Sequence, residues 1–157
     1  MRFSIPVLVS LVIGVSACDD DATGPHPRPT GSFSLEVAGA RTASLEGPAV
    51  FGVLAGAFWE LSMQDETTPV NRLSLTLSDE PSPGVILIDS MPLGAFTSTL
   101  QLDGAFFFAR SGTLSVSVAT DSVTVGGFNL TVVGGDTLFV SSDTASVTGT
   151  FQARSRE

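Results

Sequence analysis

The stretch Arg72-Leu73-Ser74-Leu75-Thr76-Leu77-Ser78 alternates apolar and polar side chains without a break. Successive residues of a β-strand point to opposite faces. Leu73, Leu75 and Leu77 therefore share one face and the hydroxyls take the other, as a strand buried on one side requires. Ser32-Phe33-Ser34-Leu35-Glu36-Val37 and Thr113-Leu114-Ser115-Val116-Ser117-Val118 repeat the scheme. A helical period is convincing nowhere, and further strands are expected at 41–46, 49–54, 58–63, 85–90, 96–102, 105–110, 122–133, 136–141 and 145–153. Turn chemistry separates them: Gly39, Gly47-Pro48, Gly56, the loop from Gln64 to Pro69, Glu80-Pro81-Ser82-Pro83-Gly84, Asp103-Gly104, Ser111-Gly112 and Gly134-Gly135-Asp136. Short strands at this spacing predict one all-β domain over residues 32–157. The expected architecture is a single antiparallel β-sandwich, with a small up-and-down β-barrel as the alternative.

Three features within this pattern bear on function. Ala49 to Met63, AVFGVLAGAFWELSM, is continuously apolar with two Gly inside it, which disfavours a helix and suggests two strands joined at Ala55-Gly56-Ala57. Trp59, Leu61 and Met63 then point inward and Glu60 and Ser62 outward, which makes Trp59 a core residue before it is a sugar-stacking platform. Near the C-terminus, Ser122-Val123-Thr124-Val125-Gly126-Gly127-Phe128 is echoed by Ser146-Val147-Thr148-Gly149-Thr150-Phe151. Each places Gly just before an inward Phe, where a bulge or a close backbone approach would exclude a Cβ. Finally, Phe106-Phe107-Phe108 cannot all share one face of a regular strand. Either both faces are covered or one aromatic is a contact residue, and Phe107 is the candidate for that contact surface.

Chemistry-bearing residues are sparse. Nucleophilic triads and imidazole metal sites need a histidine beside the nucleophile or metal, and the only histidine, His26, lies between two prolines. A two-carboxylate glycosidase could draw on Glu36, Glu46 and Glu60, all on expected strands, but alternation sends Glu36 and Glu60 to solvent faces where nothing raises an acid's pKa. Asn129-Leu130-Thr131 matches a glycosylation sequon within an expected strand, a setting that favours coincidence. Hence no enzyme, no cofactor and no metal site are expected. Seven Arg and no Lys stand against sixteen acidic residues, for a formal charge of −9. Such a surface repels nucleic acid and anionic headgroups and serves solubility.

The first eighteen residues, MRFSIPVLVSLVIGVSAC, read as an address and not as fold. One basic residue precedes an apolar run of about 15 residues, short of the ~20 that a spanning helix needs. Val15-Ser16-Ala17-Cys18 resembles the lipobox of bacterial lipoprotein precursors, with Val15 where that family more often has Leu. The resemblance implies a signal peptide over 1–17, cleavage between Ala17 and Cys18, and thioether-linked diacylglycerol on Cys18, the chain's sole cysteine. Several acyl chains would suffice for stable attachment, so the membrane is the expected partner through this lipid. Residues 18–31, with three Asp, three Pro and two Gly after the cysteine, read as a disordered tether reaching up to ~40 Å at ~3.1 Å per residue. Asp19 resembles an inner-membrane retention signal in some lineages, which leaves inner against outer membrane open. Pro92-Leu93-Gly94-Ala95-Phe96, Ala109-Arg110-Ser111-Gly112-Thr113-Leu114 and Val147-Thr148-Gly149-Thr150-Phe151, in that order, resemble small β-rich envelope lipoprotein domains of uncharacterised function. The combined expectation is a lipid-anchored cell-envelope protein, outside the cytoplasm, whose β domain is a non-catalytic interaction or structural module, with an envelope protein as the candidate partner. A barrel holding a small apolar ligand is the alternative.

Overall fold

The computed structural model describes residues 31–54, 58–88, 96–135 and 143–156. The lipobox residues, Ala17 and Cys18 among them, the tether up to residue 30 and the strand expected at 136–141 lie outside the described residues. All regular structure described is β: β1 (Gly31–Gly39), β2 (Ala43–Leu54), β3 (Phe58–Gln64), β4 (Arg72–Leu77), β5 (Gly84–Ile88), β6 (Phe96–Leu102), β7 (Ala105–Ala119), β8 (Val123–Gly135) and β9 (Asp143–Ser155).

These strands form a closed barrel, which corrects the sandwich expectation in favour of its alternative. Each wall strand pairs antiparallel with its neighbour in the chain, and β9 returns to β1 along a ladder from Ser32–Gln152 to Gly39–Ala145. A sandwich needs two sheets with boundary strands. Here eight strands each have neighbours on both sides, and only β5 departs from the meander, pairing with β7 outside the ring.

The ladders are strongly staggered. A path from Phe107 runs through Leu100, Leu73, Met63, Ala49 and Gly31. It continues, one residue past the Ser32–Gln152 pair, to Ala153, Thr124 and Ala119, returning to β7 near its far end. Closure with this stagger tilts the strands against the barrel axis and demands a long β7. On one edge β7 pairs with β8 throughout. On the other it pairs first with β6, Leu102–Ala105 to Thr99–Phe108, and then with β5, Ile88–Gly112 to Gly84–Val116.

That requirement overrides two expected turns. Ser111-Gly112 lies within β7, beside an irregularity between Ala109 and Ser111 that bends the strand. Gly112 has φ 143°, and a Cβ there would stand 2.2 Å from the carbonyl oxygen of Asn129. Gly47-Pro48 likewise falls inside β2, whose outer edge is covered by the following loop through the Glu66 N–H bond to the Glu46 carbonyl. Asp103-Gly104 is the expected turn: both residues have positive φ, 49° and 83°, as a two-residue hairpin loop of the primed type requires.

Inward positions alternate as read from the sequence, except that Val118, expected to share the buried face of Leu114 and Val116, is exposed beyond an irregularity between Val116 and Val118. Phe33, Leu35 and Val37, then Leu73, Leu75 and Leu77, then Leu114 and Val116 are all buried in one core with Leu61, Met63, Leu100, Leu130, Val132 and Val147. No member of this core is more than 6% exposed, so side chains occupy the barrel's inward positions. Among the described residues, the inward hydroxyls of Ser98 and Thr124 are buried without a hydrogen-bond partner.

Candidate functional site

The phenylalanine triplet sits where β7 changes partner. Phe107 lies opposite Leu100 of β6 and Gly134 of β8 and is wholly buried, which removes it as a contact residue. Alternation is intact, but it points Phe107 into the barrel and turns its two neighbours outward. Phe106 is half-buried over a polar cleft of about 240 Å³ with Glu60 and Arg72, whereas Phe108 is 46% exposed.

The most exposed large apolar residues among those described lie on β5, the strand added to the barrel, instead. Val85 and Leu87 are 65% and 74% exposed, while Ile86 packs against the core and Ile88 is buried within it. Among the described residues β5 has a ladder on one side only, to β7, and it terminates the strand order. Among the described residues no strand is laid against its other side, beside two large apolar side chains, and an edge of that kind accepts a strand from another chain. The sequence reading missed this surface because Val85-Ile86-Leu87-Ile88 is apolar at every position. Such a run carries no sign of which face is solvated.

The three strand glutamates lie on the outer wall, and two of them have side-chain partners. Glu36 accepts the Ser44 hydroxyl at 2.8 Å. Glu60 accepts the Ser74 hydroxyl at 2.6 Å through Oε1 and the Arg156 guanidinium at 2.9 Å through Oε2. Glu46 is exposed on β2, and Asn129 of the sequon is exposed on β8. Trp59 is half-buried and stacks on Phe51, with ring centroids 6.0 Å apart, so it is a rim residue of the core and not a free platform. At that rim, Gly52, Val53 and Trp59 face Glu80, Asp121 and Arg156 across a cleft of about 480 Å³. Among the described residues no three His, Cys, Asp or Glu side chains are grouped to hold a metal ion.

What the described residues define is an eight-stranded antiparallel β-barrel with a packed interior and one additional edge strand. Comparison with protein-family models, curated proteins and solved structures finds no match to this chain.

Proposed function

We propose that the chain is a lipid-anchored envelope protein whose barrel works by contact, offering β5 to an extended segment of a partner protein. The observation that carries this reading is the pairing of an unlaced strand edge with Val85 and Leu87, the two most exposed large apolar side chains among the described residues. Main-chain hydrogen bonds along such an edge supply affinity, and alternate side chains supply selectivity. The packed interior supports the same reading over the apolar-ligand alternative, because it leaves the outer wall as the surface open to a partner. Anchoring rests on the lipobox resemblance of Val15-Ser16-Ala17-Cys18. The absence of Lys, the side chain most used to blunt exposed edges, agrees with an edge kept open.

The test places a photo-crosslinking amino acid at Leu87 of the full chain in its own envelope, and in a second protein at Ser34, an exposed outward position of β1 flanked by β2 and β9. A discrete adduct from position 87 and none from position 34 is expected. Absence of an adduct at 87, or equal labelling at both, would overturn the contact reading.

A further inference from the structure

The outer face of β3, β4, β6 and β7 carries a polar recess whose shape follows from register. Gln64, Arg72, Gln101 and Phe106 stand opposite one another in a row across these strands. Two residues along, Ser62, Ser74 and Thr99 form the next row, and Glu60 of β3 stands beyond it. Residues two apart on a strand share a face, so short hydroxyl side chains lie between longer ones on either side. The result is the cleft of about 240 Å³, with Glu60 on one wall, Arg72, Gln101 and Phe106 on the other, and the hydroxyls between them. Gln64 bonds the Pro69 carbonyl at 2.7 Å instead.

We propose that this cleft binds one pyranose ring of a glycan, its C–H face on Phe106 and its hydroxyls on the polar groups around it. The hydrogen-bonding capacity left in the cleft carries the argument. Glu60 is committed, to the Ser74 hydroxyl at 2.6 Å and the Arg156 guanidinium at 2.9 Å. The side chains of Ser62, Arg72, Thr99 and Gln101 make no hydrogen bond or ion pair among the described residues, although all but Arg72 are half-buried. Polar groups in a recess with no protein partner are the ones a ligand engages in place of water. Here they are a guanidinium that donates, an amide and two hydroxyls that each donate and accept, and an apolar ring beside them. A small anion would use Arg72 alone and lie against the Glu60 carboxylate, whereas a cation would meet Arg72 with Glu60 already neutralised. A sugar uses every group, because each of its hydroxyls both donates and accepts. The volume falls below the ~300–1,000 Å³ of sites that enclose drug-sized ligands, so a single ring is the unit held. The rows cross the strands, which directs the rest of the glycan over β6 toward Phe108, exposed on β7 opposite Thr99. The site shares no residue with the β5 edge and does not depend on the anchor.

The test titrates the isotope-labelled full chain, in a polyoxyethylene detergent that carries no sugar headgroup, with cellohexaose, maltohexaose, chitohexaose and trigalacturonic acid, and follows amide resonances. Saturable shifts confined to the cleft residues, the Gln101 side-chain amide among them, are expected with at least one neutral probe. Gln101→Ala and Phe106→Leu should each weaken that binding about tenfold, the loss expected for one or two hydrogen bonds or a ring contact. Ser34→Ala, on the outer face of β1, should leave it unchanged. Melting temperatures confirm that each variant is folded, and Gln101→Ala decides the matter if Phe106→Leu is not. Failure of every probe to bind overturns the proposal, and so does binding that Gln101→Ala leaves intact. Binding of trigalacturonic acid alone, abolished by Arg72→Ala and indifferent to Phe106→Leu, assigns a simple anion contact and overturns it too. Shifts centred on the Trp59 cleft and not on this one also overturn it.

Discussion

Phe128 and Phe151 stack on neighbouring strands, their ring centroids 6.4 Å apart, and each stands opposite a glycine of the other's strand. Gly126 faces Phe151 and Gly149 faces Phe128, so each ring lies across the position a Cβ would occupy. A Cβ on Gly126 would stand 2.8 Å from the Phe151 ring and 2.1 Å from the Ser115 carbonyl oxygen; on Gly149 it would stand 2.6 Å from the Phe128 ring. Gly126→Ala and Gly149→Ala should each lower stability by about 1–3 kcal/mol through overpacking. Gly127→Ala, whose Cβ would meet nothing closer than 3.1 Å, should cost less. Denaturant midpoints of the three variants check the order.

Phe107 and Phe108 should separate cleanly. Phe107→Ala removes a ring from a fully buried site and is expected to cost about 3–5 kcal/mol, with Leu75→Ala in the range of about 2–5 kcal/mol for the same reason. Phe108→Ser, at an exposed outward position, should stay within about 1 kcal/mol of the parent. Equal losses at 107 and 108 would contradict the facing described.

The Thr124 hydroxyl is buried with no hydrogen-bond partner among the described residues, and so is that of Ser98. Burial of an unpaired hydroxyl opposes folding, so Thr124→Val should leave stability unchanged or raise it by about 1 kcal/mol. A loss of stability in thermal unfolding would mean that the hydroxyl is satisfied.

Asn71, buried at the end of the loop before β4, accepts the Asp103 backbone N–H at 2.8 Å and so ties that loop to the β6–β7 turn. Its own backbone carbonyl accepts the Asp65 N–H at 2.9 Å. Asn71→Ala leaves the Asp103 amide without its side-chain partner beside a residue held at positive φ. A cost of about 1–3 kcal/mol is expected, together with faster amide exchange at Asp103.

Cys18→Ser should release the protein from membranes or leave residues 1–17 attached, as the lipobox resemblance implies. Fractionation and intact mass read the result; an unmodified thiol at position 18 of the parent protein would remove the anchored reading.

The sequence by itself determined which residues face inward on most strands, because a period of two is a local property: Leu73, Leu75 and Leu77 must share a face wherever their strand goes. It also determined the Asp103-Gly104 turn, where two consecutive residues at positive φ favour that dipeptide, and the close approach at Gly126 and Gly149, visible as Gly placed just before an inward Phe. Only the tertiary structure decided that β9 pairs with β1 and closes a barrel. Closure depends on stagger accumulated around eight ladders, which no single strand encodes. The same long-range geometry draws Gly47-Pro48 and Ser111-Gly112 into continuous strands and turns Phe107, not Phe106 or Phe108, into the core. It also leaves β5 outside the ring, so the apolar run at 85–88 becomes a wall edge instead of a doubly covered strand. The candidate contact surface was illegible for that reason: a strand's two faces can be read along the chain, whereas its free edge exists only relative to the strands that are not beside it.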